Sequence, residues 1–175
     1  DSVNSGTSTK GSSLINNDST YDAAILEFDF IPQGDTVEFE YVFASEEYPE
    51  FVFSGYNDVF AFFISGPGIT GIQNLAVVPG TNNPITINQI NDSTNSNLYI
   101  SNGDGIFGSQ FFDSTVVNFN GFTIPLKVIS KVIPCETYHL KIAIADGGDQ
   151  AYDSGVFLKG GSLNSNPEFE IFQKS

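Results

Sequence analysis

Tryptophan, methionine and arginine are absent from this 175-residue chain, which carries one cysteine, Cys135, and one histidine, His139. A single cysteine excludes any intrachain disulfide, and one Cys with one His leaves no zinc-ligand pattern. Cys135 itself, beside Pro134 at a strand start, reads as a small packed residue. Basic residues are scarce: six lysines face 21 acidic residues, for a formal net charge of −15. That balance repels phosphate backbones and anionic headgroups, so nucleic acid and membrane surfaces are poor partners. No run approaches the ~20 apolar residues of a transmembrane helix. No window of a dozen residues combines an amphipathic helical period with capping signals. G-x-S-x-G, phosphate-loop and dinucleotide fingerprints are also missing.

What the chain does hold is aromatic and alternating. Seventeen Phe and seven Tyr supply bulky core material within a 40% hydrophobic composition. This content and the strand patterning argue against disorder despite the charge. In 24–31, Ala24, Leu26, Phe28 and Phe30 share one face while Glu27 and Asp29 take the other. In 36–43, Val37, Phe39, Tyr41 and Phe43 alternate with Glu38 and Glu40. Period-two alternation is the signature of half-buried antiparallel strands, and the Pro32-Gln-Gly-Asp35 turn between them predicts a hairpin. The run 59–64 is apolar on both faces, as a central strand would be. Further strands are predicted at 75–78, 85–90, 98–101, 115–119, 122–132, 138–145, 155–163 and 169–172. About ten strands joined by Gly, Asn and Pro turns make an all-β fold, an antiparallel β-sandwich with jelly-roll-like connections. Residues 1–20, rich in Ser, Thr, Asn and Gly, read as a flexible N-terminal segment or edge loop, and 21–175 as one domain. A chain that opens on Asp1 without a signal peptide reads as a segment of something longer.

Two loops concentrate the chemistry. Residues 44–58 pack four carboxylates, Asn57 and four aromatics between two strands; residues 145–153 hold Asp146, Asp149 and Asp153 around Gly147-Gly148. Oxygen donors without thiol or imidazole point to Ca²⁺, which takes about 6–8 oxygens, more than either loop alone offers. Glu46, Glu47, Asp58, Asp146, Asp149 and Asp153 are the candidate metal ligands. The spacing is not that of an EF-hand. The competing explanation is simple solvation, since loop carboxylates are commonly exposed. Among Tyr48, Phe51, Phe53 and Tyr56, at least two are expected to plug the core. Tyr48 and Tyr56 are expected to be exposed beside Asn57, where they would contact a glycan or peptide. His139 alternates out of the apolar face of its strand, and Glu38 with Glu40 only imitates a glycosidase pair. Binding is therefore expected rather than catalysis. Turn chemistry explains Asn102-Gly-Asp-Gly105 as well as a metal would.

Four segments carry a family resemblance. They are Tyr21-Asp-Ala-Ala-Ile-Leu-Glu-Phe-Asp-Phe30, Phe43-Ala-Ser-Glu-Glu-Tyr-Pro-Glu-Phe51, Asn57-Asp-Val-Phe-Ala-Phe-Phe-Ile-Ser-Gly-Pro-Gly68 and Ile144-Ala-Asp-Gly-Gly-Asp-Gln-Ala-Tyr-Asp-Ser-Gly-Val-Phe-Leu158. In this order they resemble the choice-of-anchor L domain, over roughly residues 20–163. The resemblance implies a module of a large secreted or surface-displayed bacterial protein, often adhesin-like, in an extracellular setting. It implies no catalytic activity and no agreed ligand. One departure is the pair of glycines in Asp146-Gly-Gly-Asp149, where a bulkier residue is expected at one of them. The alternative role is a structural spacer stiffened by calcium, with no ligand of its own.

Overall fold

The computed structural model describes residues 20–103, 117–147 and 151–165. Within them ten strands form two five-stranded antiparallel sheets. In chain order these are β1 (Thr20–Phe30), β2 (Thr36–Ser45), β3 (Val59–Ser65), β4 (Gln73–Asn74), β5 (Ile85–Thr86), β6 (Tyr99–Ser101), β7 (Gly121–Thr123), β8 (Leu126–Lys131), β9 (Tyr138–Gly147) and β10 (Ser154–Leu158). The first sheet runs β1-β9-β3-β4, with β5 also on β3; the second runs β10-β2-β7-β6, with β8 also on β2. The chain crosses between sheets at β1–β2, β2–β3, β5–β6, β8–β9 and β9–β10, the jelly-roll-like habit of an all-β sandwich.

The core lies between the sheets. Val37, Phe39, Tyr41 and Phe43 of β2 alternate buried with half-buried neighbours and meet Phe60, Phe62 and Ile64 of β3. Phe39 packs tilted against Phe62 with ring centres 4.1 Å apart, and Tyr41 against Phe60 at 5.0 Å. Burial of these rings, with the aliphatic side chains packed around them, is a large favourable contribution to folding. β3, flanked by β9 and by β4 with β5, is central as its two-faced apolar run predicts, and Ala61 is buried on its outer face against Ala143.

Several expectations are corrected. β1 and β2 are not a hairpin: β1 pairs with β9 and β2 with β8 and β10. Any strand of a sandwich shows one apolar face, so alternation alone cannot tell a hairpin from a crossing between sheets. Leu26, expected inward, is 51% exposed. It lies on an edge strand of which Phe28 and Phe30, but not Leu26, reach the core. The single strand expected over 122–132 is two, broken at Ile124-Pro125, because proline cannot donate to a ladder. In 75–78 only the bridge from Val77 to Pro84 forms, and in 85–90 only Ile85–Thr86 is strand. The late strand over 155–163 stops at Leu158. Cys135 is exposed at a turn with positive φ, not packed. The N-terminal segment up to residue 19, the strand expected at 169–172 and parts of 102–105 and 115–119 lie outside the described residues.

Candidate functional site

Register brings both acidic loops to one end of the sandwich. Val59 faces Ala145 and Thr20 faces Gly147 in the first sheet; Ser45 faces both Ser154 and Gly121 in the second. The chain therefore leaves β2 and β9, and enters β3 and β10, at the same end. Glu46 and Glu47 follow β2, Asp58 precedes β3, Asp146 is the penultimate residue of β9 and Asp153 precedes β10.

Three of these carboxylates are buried: Glu47 at 2%, Asp58 at 1% and Asp146 at 5% exposure. A buried carboxylate is costly unless hydrogen bonds or a positive charge compensate it. Asp58 Oδ1 accepts the Gly147 N–H at 2.9 Å, and Glu47 Oε2 accepts the Asp58 N–H at 3.3 Å. Glu47 is itself held by its backbone N–H, which donates to Ser45 Oγ at 3.0 Å. Glu46 ties the second sheet's loops together. Its Oε1 accepts Asn118 Nδ2–H at 2.6 Å and its Oε2 the Asp153 N–H at 3.2 Å, while its backbone N–H donates to the Asp153 carbonyl at 3.0 Å. Neither acidic segment contains a lysine. Among the described residues, no group of three or more His, Cys, Asp and Glu side chains is arranged to hold a metal ion. Asp149 lies outside those residues.

Gly147 is fixed by close approach. Its carbonyl accepts the Asn57 N–H at 3.1 Å, and a Cβ built there would sit 2.4 Å from the Asn57 carbonyl oxygen. Only glycine fits where two backbones come so near. At position 147 the glycine serves the close packing of the two backbones.

The aromatic residues divide differently from expectation. Tyr48 is fully buried: its hydroxyl donates to the Ile90 carbonyl at 2.6 Å, and its ring packs 4.8 Å from that of Tyr99. Burial, then Tyr99 and Glu47 nearby, pushes its phenol pKa far up. The polar tip found a buried backbone partner instead of water. Phe51 is the second core plug. Phe53, Tyr56 and Tyr152 are exposed, and the rings of Tyr56 and Tyr152 lie 5.6 and 5.1 Å from Phe51. Asn57 is half-buried, and its Oδ1 accepts the Asn88 N–H at 3.3 Å, so it braces a loop. Tyr152 had one available signal, its place between Asp149 and Asp153.

His139 stands on the outer face at the other end of β9. Its Nδ1 is 2.7 Å from Asp29 Oδ1 and its Nε2 2.8 Å from Glu27 Oε1. Hydrogen bonds to Asp29 and then Glu27 raise its pKa.

Fold and site define an all-β sandwich module with an acidic, partly buried loop cluster at one end. The chain belongs to the choice-of-anchor L domain family, whose pattern matches residues 2–164. The family's name describes modules of surface-anchored bacterial proteins, and no helix among the described residues is long and apolar enough to cross a membrane. No curated protein and no solved structure shows significant similarity to the chain.

Proposed function

We propose that the acidic end of the sandwich is a calcium-supported binding site of an adhesin-like surface module, with an extracellular glycan or peptide as ligand. The observation that carries this reading is the gathering of three buried carboxylates, Glu47, Asp58 and Asp146, at the ends of three strands, with Glu46 and Asp153 alongside. A divalent cation would offset the cost of that burial and cross-link the loops. The oxygen donors would come from these five residues and Asp149. Bound calcium would supply a charge for a ligand's hydroxyl or carboxylate oxygens. Tyr56, Phe53 and Tyr152 offer exposed rings for its apolar faces.

The role is binding rather than catalysis. His139 lies seven residues along β9 from Asp146, roughly 24 Å at strand rise, and is engaged by two carboxylates. The test is retention on glycan and peptide arrays with calcium and with chelator. Expected is calcium-dependent retention that Asp146→Asn and Tyr56→Ala each abolish. Retention that survives chelation and Asp146→Asn would end this reading.

The spacer reading is favoured by a different observation. Glu46 and Asp58 already spend carboxylate oxygens on backbone N–H groups of facing loops, which stiffens the end without any ligand. A calcium-stiffened spacer gains stability from the ion and retains nothing on the arrays.

A further inference from the structure

We propose that the outer edge of β8 is a strand-pairing site for an extended acidic segment of a partner protein. The argument begins with hydrogen-bond parity. Val132 N–H donates to the Asp35 carbonyl at 2.8 Å, and the register pairs Thr36 with Lys131, Val37 with Ser130, and so on to Tyr41 with Leu126. Antiparallel partners alternate between bonded and non-bonded pairs. Ser130, Val128 and Leu126 therefore direct their backbone groups to β2, whereas Lys131, Ile129 and Lys127 direct theirs away. The other side of β2 obeys the same parity: the Glu38 N–H bonds the Asn164 carbonyl, and the Lys159 N–H bonds the Glu40 carbonyl.

Along β7 this outer edge is covered by β6, and the Ile124 N–H still reaches the Leu98 carbonyl. Beyond that point no strand among the described residues pairs with β8 on this side. A cleft of about 620 Å³ runs beside it, walled by Ile69, Ile72 and Leu75 opposite Ile129 and Lys131. Ile72 and Ile129 are both 57% exposed. Thr70, Gln73 and Ser130 also line the cleft, so it offers one face of an incoming strand a mixed polar and apolar surface while the edge offers it main-chain bonds.

Charge selects the occupant. In a chain of net charge −15, the exposed side chains of β8 are Lys127, Ile129 and Lys131. Lys127 is shared with Glu38 at 2.7 Å, and no ion pair of Lys131 is found among the described residues. Lysines on an edge discourage chance pairing with apolar or basic strands. An acidic strand meets complementary charge on the same edge.

The probe is a terminally blocked peptide of alternating valine and glutamate, compared with its valine–lysine counterpart and its mirror-image form. Binding by isotope-edited NMR should saturate for the glutamate peptide at least roughly tenfold more tightly than for the lysine peptide, with the gap closing as salt is added. The amides of Lys127, Ile129 and Lys131, fast to exchange in the free protein, should become protected, while those of Val128 and Ser130 are protected throughout. Ile129→Pro removes an outward N–H without touching the β2 ladder and should abolish binding; Lys131→Glu should weaken it by a similar tenfold factor. If Ile129→Pro loses its fold by circular dichroism, Lys131→Glu decides. No saturation at millimolar peptide, equal binding of the lysine or mirror-image peptide, or wild-type binding by Lys131→Glu would each overturn the proposal. A free protein that sediments as a dimer dissolved by Lys131→Glu would overturn it too, since the occupant would then be a second copy.

Discussion

Replacing Gly147 by alanine should destabilise the acidic end more than its one added methyl group suggests. The new Cβ would lie 2.4 Å from the Asn57 carbonyl oxygen and 2.9 Å from its carbonyl carbon. Both are backbone atoms, so no side-chain rotation relieves the clash and the two loops must part. Overpacking of this kind costs about 1–3 kcal/mol, and at 175 residues each kcal/mol lowers the melting temperature by roughly 2–4 °C. A loss of about 2–12 °C is expected. Gly55→Ala and Gly160→Ala are the controls, because a Cβ at either meets nothing within 4 Å; each should stay within about 0.5 kcal/mol of wild type or gain slightly. Asp58→Ala strands the Gly147 N–H and should cost about 1–3 kcal/mol. Both changes open the same junction, so the double variant should lose less than the sum. A Gly147→Ala protein that melts with wild type, or strict additivity with Asp58→Ala, would refute the tight 57–147 junction.

Tyr48→Phe leaves the buried Ile90 carbonyl without its 2.6 Å donor, so the urea midpoint should fall by an amount equivalent to about 1–3 kcal/mol with an unchanged m-value; an unchanged midpoint would mean the phenol contributes nothing. For His139, the folded pKa is raised above 6.5 by Asp29 and Glu27. The native state then holds the proton more tightly than the unfolded chain, so this contribution is fully present below pH 6.5 and fades as pH climbs through the folded pKa. Melting temperatures of wild type and His139→Gln should differ most at the acidic end of that window and converge above it; a gap that widens with rising pH would contradict the clamp.

The architecture was largely legible because period-two alternation is written into single strands. Val37, Phe39, Tyr41 and Phe43 face the core as read, and Val59–Ile64 is central as read. Pairing was not legible in the same way. Whether β1 joins β2 or β9 depends on contacts more than a hundred residues apart, which no local pattern encodes. Clustering of the two acidic loops could be anticipated from charge density, and the register of β3 with β9 explains it. The exposure of individual aromatics could not. Tyr48 and Tyr56 have the same side chain in the same loop, yet Tyr48 is buried with its hydroxyl on the Ile90 carbonyl and Tyr56 is exposed. The edge of β8, unpaired among the described residues, was hidden too, since edge and centre are properties of the assembled sheet. Only Lys127 and Lys131, two lysines in one short strand of an acidic chain, mark it in the sequence.

The most direct test of the calcium-supported end is a thermal melt of metal-stripped protein with Ca²⁺, with Mg²⁺ and with neither. At a hundredfold excess over its dissociation constant, a ligand of the native state adds about 2.7 kcal/mol. In a chain of this length that raises the midpoint by roughly 5–11 °C. A rise of that size with Ca²⁺ and not Mg²⁺, lost in Asp146→Asn, is the predicted result. Coincident melts in all three conditions would contradict it and leave the acidic loops held by the protein's own hydrogen bonds.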